Sequence, residues 1–299
     1  MFYSQNVLSD EDVSSVDILF DLSLEELSKV KVVTGSRSKK AKNISDSPVP
    51  VDSYSSFDMY GSGDMTDILK NLLPSYNATA RNGDGAAFVR PITLRGLPPD
   101  DVLILVNSKR RHRSALIQHG GPSTTAGAHA SDPGPIPAIA LKRLEVLRDG
   151  AASQYGSDAI AGVINFILKD SDSGGHFETQ FGQYYQGETI MRIAMNKGFS
   201  LSNTGFLNLS AEYTGYEQLI RGHQPLSAET SINTGIANVG TDSPYSGDSL
   251  AQTWGRPEQQ GLRTAWNAGY DLDNNKQLYL FGNYARYSST YRFFYRSPV

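Results

Sequence analysis

The sequence predicts an α+β domain with a small mixed sheet and short helices, followed by the first antiparallel strands of an incomplete transmembrane β-barrel. Three observations lead to this fold class. Residues 144–168 have the pattern of a strand, a tight turn, a short helix and a second strand. After Asp170, apolar and polar residues alternate over runs of about 9–11 residues, the length of a tilted membrane-spanning strand. No apolar run approaches the roughly 18 residues that a transmembrane helix needs.

Composition excludes several classes of protein. The 299 residues carry a net charge of -4 and a pI near 5.7, whereas nucleic-acid-binding proteins are usually basic. There are no cysteines, so disulfides and thiolate metal sites are excluded. A mean hydropathy of -0.37 excludes a helical membrane protein but not a β-barrel, whose strands alternate. We expect neither a metal nor a cofactor.

Residues 1–30 are acidic and polar, which predicts a flexible leader with few residues able to join a core. They contain neither the basic nor the apolar region of a secretory signal peptide. The protein is therefore expected either to stay in the cytoplasm or to have its true N-terminus upstream of Met1.

The clearest predicted helix covers residues 64–74. Ser62 or Asp64 can cap its N-terminus, four apolar residues share one face, and Pro74 ends it. After this helix the sequence predicts, in order, a strand at 92–96, a strand at 102–107, a long irregular insertion at 108–137 and a short helix at 137–143.

Residues 144–168 complete the predicted α+β domain. Residues 144–148 alternate at strand period, and residues 151–155 can form a short helix. Residues 163–168 are almost all apolar, as expected of a strand that is covered on both faces. The positions assigned to turns and caps between these strands are Asp149, Gly150, Gly156 and Asp158.

Five strands are predicted between residues 177 and 287, each with a face rich in apolar residues and a solvated face, although the fifth, at 277–287, is less cleanly two-faced. Their connections are short except for a loop of some forty residues at 217–260. Outer-membrane barrels keep alternate connections short on the periplasmic side, so the first strand is expected to run outward. Five strands cannot close a barrel and an open edge cannot lie in lipid, so we expect the chain to be a fragment.

Four motifs, in this order, resemble the N-terminal part of a TonB-dependent outer-membrane receptor. They are Val32–Arg37, Asp67–Pro74, Thr93–Arg110 and Ile136–Asn165. One departure is Ser108, where the family usually has glycine, and it is expected to change a turn. The domains that the resemblance implies are a leader at 1–30, a plug domain at 31–170, and the first part of a β-barrel at 171–299.

The resemblance implies a plug that folds inside a barrel in the cell outer membrane and gates its lumen. Such receptors bind and import a scarce nutrient, commonly a ferric siderophore, haem, cobalamin or a glycan. The implied partners are this small ligand, outer-membrane lipid, and the periplasmic protein TonB, which would pair with an extended N-terminal box by strand addition. No nucleic-acid partner and no covalent chemistry are expected, so the protein is not expected to be an enzyme.

Two segments are candidates for the TonB contact, and in either case the alternative is an ordinary structural role. In particular, Val32 and Val33 could simply begin the first strand of the plug. The preferred candidates are Lys31, Val32, Val33 and Thr34, and the second choice is the segment Asp17–Leu22.

Ligand contacts are expected in glycine-rich loops of the plug and in the basic segment 109–113. This segment could face an anionic ligand, or it could be a solvated or barrel-facing surface that pairs with acidic barrel residues. The candidate ligand contacts are Arg81, Asn82, Arg110, His112, Arg113 and His119.

Three further charged residues lie on predicted plug strands. They are Arg95, Glu145 and Arg148. Because buried charges persist only when paired, we expect them to form salt bridges within the plug or with the barrel.

Two other classes of protein remain as alternatives. A soluble β-rich binding or adhesion module could use the alternating strands as a sandwich, but the regular long strands suit a barrel better. An enzyme is disfavoured, because Gly83-Asp-Gly85 lacks the strand-to-helix context of a nucleotide-binding fingerprint and no nucleophile motif is present.

Overall fold

The computed structural model describes most of the chain between residues 50 and 291 and three short segments before it. The described residues are 3–7, 31–34, 42–43, 50–59, 64–78, 85, 89–90, 92–117, 126–148, 151–202, 204–221, 226–234, 254–273 and 276–291.

Fifteen strands and three α-helices lie in these segments, numbered here in chain order. The strands before residue 170 are β1 (Tyr3–Val7), β2 (Lys31–Val32), β3 (Lys42–Asn43), β4 (Val51–Ser55), β5 (Tyr76–Asn77), β6 (Thr93–Leu94), β7 (Val102–Val106), β8 (Lys109–Arg110), β9 (Leu141–Leu147) and β10 (Gly162–Leu168). The later strands are β11 (Gly175–Gln183), β12 (Thr189–Leu201), β13 (Gly205–Tyr216), β14 (Glu258–Asp273) and β15 (Lys276–Thr290). The helices are α1 (Met65–Leu72), α2 (Ala151–Tyr155) and α3 (Leu226–Asn233).

The first part of the chain is built on a mixed sheet with the order β4-β9-β10-β7-β8. Strand β10 is parallel to β7 and antiparallel to β9, and every residue of β10 is buried, as predicted for a strand covered on both faces. Helix α1 begins after Asp64, whose carboxylate accepts hydrogen bonds from the N–H groups of Thr66 and Asp67. Ile68 and Leu69 on the buried face of α1 enter the main hydrophobic core.

The second part is an antiparallel sheet with the order β1-β11-β12-β13-β14-β15. Its last five strands are the predicted ones, and the fold class is confirmed: a mixed domain with few helices is followed by antiparallel strands that do not close on themselves. No helix within the described ranges combines the length and the apolar character that crossing a membrane requires.

Three details differ from the sequence-based expectations. Residues 3–7 form strand β1 on the free edge of β11 instead of belonging to a flexible leader, because an edge strand has unpaired N–H and C=O groups to offer. The expected helix at 137–143 is a single 3₁₀ turn at Ala138–Ala140, after which β9 begins. The long connection is not all loop, since it contains α3.

The mixed domain packs on the polar face of the antiparallel sheet. On the outer face, Phe181 is 55% exposed and Leu280 is 62% exposed, whereas Arg192 on the inner face is 2% exposed. The face of the antiparallel sheet that was expected to be solvated is therefore buried beneath the mixed domain where the two parts meet. Ala265 of β14 joins the core of the mixed domain directly.

Candidate functional site

The candidate site is the interface between the mixed domain and the inner face of the antiparallel sheet. Buried charges on four neighbouring strands of this face neutralise one another. Arg192 on β12 contacts Glu178 on β11 at 2.7 Å and Glu212 on β13 at 2.9 Å, and Arg263 on β14 lies 3.7 Å from Glu212. Because each buried charge has a partner of opposite sign, this face can be covered by the mixed domain at a reduced electrostatic cost.

At one end of the interface, Arg256 connects the residues before β14 to helix α1. Its guanidinium contacts the carboxylates of Asp64 at 2.6 Å and Asp67 at 3.0 Å, and it stacks on the Tyr216 ring at 3.9 Å. Burial alone would raise the pKa of Asp64, but Arg256 and Arg90 outweigh it and hold this pKa below its usual value. The long connection between β13 and β14 is thus fixed to the N-terminus of α1.

A second group of contacts lies near the middle of β14 and β15. Arg263 Nε donates to the Gly134 carbonyl at 2.8 Å, and Arg111 Nη1 donates to Asn283 Oδ1 at 3.2 Å. Burial raises the pKa of Asp132, and the N–H of Gly134 only partly offsets this effect. These bonds fix the segment around residue 133 to the sheet.

The third group of contacts surrounds Asn107, which follows β7 in a turn with a φ of 46°. Its side-chain amide donates to the Tyr279 hydroxyl and to Asn267 Oδ1, and its Oδ1 accepts from the Leu168 N–H at 2.9 Å. Asn267 in turn donates to the Lys169 carbonyl at 3.0 Å. From Arg256, just before β14, to Asn267 the three groups of contacts are spread over about 36 Å, since a strand rises about 3.3 Å per residue.

The candidate TonB-contact segment is packed into the mixed domain. Lys31 and Val32 form β2, Val32 and Thr34 are buried, and the N–H groups of Val33 and Thr34 donate to the carboxylate of Glu145. This position matches the alternative considered from the sequence, in which the segment begins the plug. A partner strand could reach these residues only after they leave their present position. The second-choice segment, 17–22, lies outside the described residues.

The basic segment 109–113 lies beside a cavity of about 250 Å³ that Arg110, His112 and Arg113 line together. Arg110 pairs with Asp158 at 2.5 Å, whereas Arg111 bonds to main chain and to an amide of the antiparallel sheet. The expected pairing with acidic barrel residues is therefore not what the structure shows for these two arginines. His112 and Arg113 are exposed. The other ligand-contact candidates, Arg81, Asn82 and His119, lie outside the described residues.

Two of the three predicted structural charges form ion pairs within the plug. Glu145 pairs with Arg143 at 2.8 Å, and Arg148 pairs with Asp52 at 2.6 Å. Arg95 differs, because it is exposed and its guanidinium donates to the Arg148 carbonyl at 2.6 Å instead of lying buried on a strand.

The turn and cap assignments gave mixed results. Gly156 has a φ of 92° and turns the chain after α2, as expected of a glycine at that position. Asp158 is not a cap: it lies within a 3₁₀ turn that has no side-chain cap, and it pairs with Arg110. Asp149 and Gly150 lie outside the described residues. In the part of the chain that the structure covers, no group of three His, Cys, Asp or Glu residues is placed to hold a metal ion.

Sequence reasoning missed the residues that fix the mixed domain to the sheet, above all Arg256 and Asn107. Both lie next to strand ends, where polar residues are common, so no local pattern distinguishes them. For Arg256 the available signal was its position at the end of the long connection, two residues before β14.

Comparison with known proteins identifies the class. The family described as TonB-dependent Receptor Plug Domain matches residues 43–163, within the plug boundaries predicted from the motifs. Residues 43–163 therefore match the plug domain of TonB-dependent receptors, antiparallel strands follow them, and the resemblance is confirmed.

Two curated relatives carry siderophore-receptor names. Over 142 residues the chain is 34% identical to a probable TonB-dependent siderophore receptor, PirA, of Acinetobacter baumannii, covering 46% of this chain and 18% of that protein. Over 184 residues it is 28% identical to the ferrienterobactin receptor of Escherichia coli, covering 57% of this chain and 24% of that protein. The chain thus spans about a fifth of the length of these relatives.

Solved structures show the same fold at lower identity. A ferric enterobactin receptor of Pseudomonas aeruginosa in complex with enterobactin matches with a TM-score of 0.57 at 20% identity, over 80% of this chain and 33% of that one. The siderophore receptor PirA of A. baumannii matches with a TM-score of 0.56 at 21% identity, over 81% of this chain and 32% of that one.

Proposed function

We propose that this chain works as part of a TonB-dependent outer-membrane receptor that binds and imports a ferric siderophore, with the plug gating the passage. The observation that carries the proposal is the docking of a plug domain onto the polar face of an antiparallel sheet whose apolar face points away. This arrangement suits a plug that lies inside a membrane-spanning β-barrel. The names of the curated relatives support the choice of a siderophore over haem, cobalamin or a glycan.

Lipid contact is supported by the outer face of the sheet. Side chains from β11, β12, β14 and β15 expose large apolar surface there, including Phe177, Phe181, Met195, Leu262 and Leu280. Soluble proteins rarely expose so continuous an apolar band, whereas the lipid-facing surface of an outer-membrane β-barrel requires one. We therefore propose that the protein lies in the outer membrane.

An anionic ligand is supported by the basic segment of the plug. His112 and Arg113 are exposed beside the cavity that Arg110 also lines, and positive side chains are suited to bind the negative charge of a ferric siderophore. We propose that Arg110, His112 and Arg113 contact the ligand together with Arg81, Asn82 and His119. No covalent change of the ligand is part of this proposal.

TonB is the proposed periplasmic partner, and Lys31, Val32, Val33 and Thr34 are its proposed contacts. Lys31 and Val32 already form an extended pair with Lys42 and Asn43, so these two residues have the conformation that strand addition requires.

The test uses the full gene product, with membrane fractionation followed by titration with a ferric catecholate siderophore. We expect the protein in the outer-membrane fraction and saturable binding. The double variant His112→Ala/Arg113→Ala is expected to raise Kd about tenfold or more, since a hydrogen bond to a charged group contributes about 1.5–3 kcal/mol.

The matched control is Lys142→Ala, which removes an exposed cation that pairs with Asp170 elsewhere on the plug and is expected to leave Kd unchanged. A full gene product that is soluble without detergent would contradict the receptor and favour the adhesion module. Membrane insertion with equal Kd for all variants would remove the basic segment from the ligand site.

A further inference from the structure

Two polar side chains lie directly opposite each other in the buried centre of the mixed sheet. Glu145 on β9 is paired in register with Asn165 on β10, and neither has any exposed surface. Among the described strand residues of this sheet, no other polar side chain is buried so completely. A fully buried carboxylate needs compensating donors, so the groups that supply them identify what this position does.

Most of the donors to Glu145 come from one short segment far away in the sequence. The Val33 N–H lies 3.1 Å from Oε2, the Thr34 N–H lies 2.8 Å from Oε2, and the Thr34 hydroxyl donates to the same oxygen. Arg143, on the same strand as Glu145, supplies the positive charge that pairs with the carboxylate. Its Nε and Nη2 each lie 2.8 Å from Oε1. The carboxylate therefore bridges its own strand and the N-terminal segment.

Asn165 strengthens this contact from the neighbouring strand. Its Nδ2 donates to Thr34 Oγ1 at 2.9 Å, and its Oδ1 accepts from the Ser108 N–H at 3.0 Å. Thr34 is thus held from two strands at once. We call the group of Thr34, Glu145, Arg143 and Asn165 the clasp.

We propose that Glu145 is a positioning residue that holds residues 31–34 in the plug, so that the clasp must open before this segment can pair with a partner strand. The part of this inference that concerns a partner rests on the proposed TonB function. The holding role itself rests only on the contacts of the clasp.

The clasp can open without unfolding the sheet. Strands β9 and β10 are joined by their own backbone ladder from Val163 to Leu168, and the contact between Arg143 and Glu145 lies within β9 and does not involve the segment. Departure of residues 33 and 34 removes three donors from a buried carboxylate, which opposes spontaneous opening. The segment is therefore expected to be held firmly at rest and to leave as a unit.

Thiol labelling can measure this opening, because residues 1–299 contain no cysteine. Val32→Cys places the reporter in the segment, at a position that is 2% exposed. Val51→Cys is the matched control reporter, since Val51 is 5% exposed and belongs to the same hydrophobic cluster but lies on β4. Each is combined with Glu145→Gln in the purified full gene product without TonB, and labelling is counted on the modified peptide by mass spectrometry.

We expect Glu145→Gln to speed labelling at residue 32 about tenfold or more and to leave labelling at residue 51 unchanged. The amide keeps the shape of the side chain, but it has one acceptor oxygen instead of two and cannot pair with Arg143. Thr34→Val, which loses the hydroxyl and keeps the N–H, is expected to give a smaller increase. Glu178→Gln, the same change at a buried carboxylate of the antiparallel sheet, is expected to have no effect on either reporter.

Two results would overturn the proposal: unchanged labelling at residue 32, or an equal rise at residue 51, which would mean that the whole plug opens. A separate capture experiment with the periplasmic domain of TonB distinguishes the clasp from the function. Faster labelling without capture would leave the clasp intact and refute the TonB contact. Capture that is equal with and without Glu145→Gln, despite faster labelling, would refute the claim that the clasp must open before TonB pairs, and would leave both the holding role and the receptor function standing.

Discussion

Replacing Arg256 with alanine tests whether the long connection holds helix α1. The change removes contacts at 2.6 Å to Asp64 and 3.0 Å to Asp67 together with the stacking on Tyr216. Breaking a buried ion pair costs about 3–5 kcal/mol. We use the lower end, about 3 kcal/mol, because Asp64 keeps the two N–H donors of the helix and a longer contact to Arg90.

Amide hydrogen exchange of α1 in the full gene product measures this loss locally. A loss of about 3 kcal/mol corresponds to exchange that is faster by about a hundredfold, since each 1.4 kcal/mol is tenfold. Asp64→Asn separates the two roles of this residue: asparagine still caps the helix but no longer pairs with Arg256, so exchange is expected to rise by less than in Arg256→Ala.

Arg221→Ala is the matched control. Arg221 lies on the same connection and pairs with Glu188, away from the plug. Its removal is expected to leave exchange of α1 unchanged. The reasoning fails if Arg256→Ala leaves α1 as protected as in the wild type, or if Arg221→Ala loosens the helix equally.

Three further outcomes are expected. Gly162→Ala should destabilise the plug by about 3 kcal/mol, because a Cβ would lie 2.7 Å from the Leu147 carbonyl. Gly156→Ala, also in the plug at a positive φ but with open space around the Cβ, should cost about 1 kcal/mol, and plug unfolding in denaturant compares the two variants. Asn107→Ala should speed exchange of the Leu168 N–H, whose acceptor it removes, while Lys142→Ala leaves it unchanged. The pKa of Asp64 in the folded state is lowered from 3.8. Its ion pair therefore stabilises α1 fully above about pH 4, and this stabilisation is lost as pH falls through the folded-state pKa. The resulting loss of hydrogen-exchange protection in acid should be smaller in Arg256→Ala than in the wild type.

The sequence alone determined the elements that depend on neighbouring residues. Helix α1 could be predicted because its cap at Asp64, its apolar spacing and the stop at Pro74 are all local. Strands β11 to β14 were predictable from their alternation and β15 less cleanly so, and the motifs identified the plug. The helix expected at 137–143 failed because the pairing of β9 with β10 and β4 outweighs the local preference after residue 140.

Only the tertiary structure decided what these elements contact. Alternation showed that the strands have two faces, but the packing of the plug showed that the polar face is the buried one. The bond between Arg256 and Asp64 joins residues that are 192 positions apart, and the bonds from Thr34 to Glu145 span 111 positions. Such partners leave no local pattern, because the free energy that selects them arises from burying charges together once the chain has folded. The residues that hold the plug in place therefore became visible only in three dimensions.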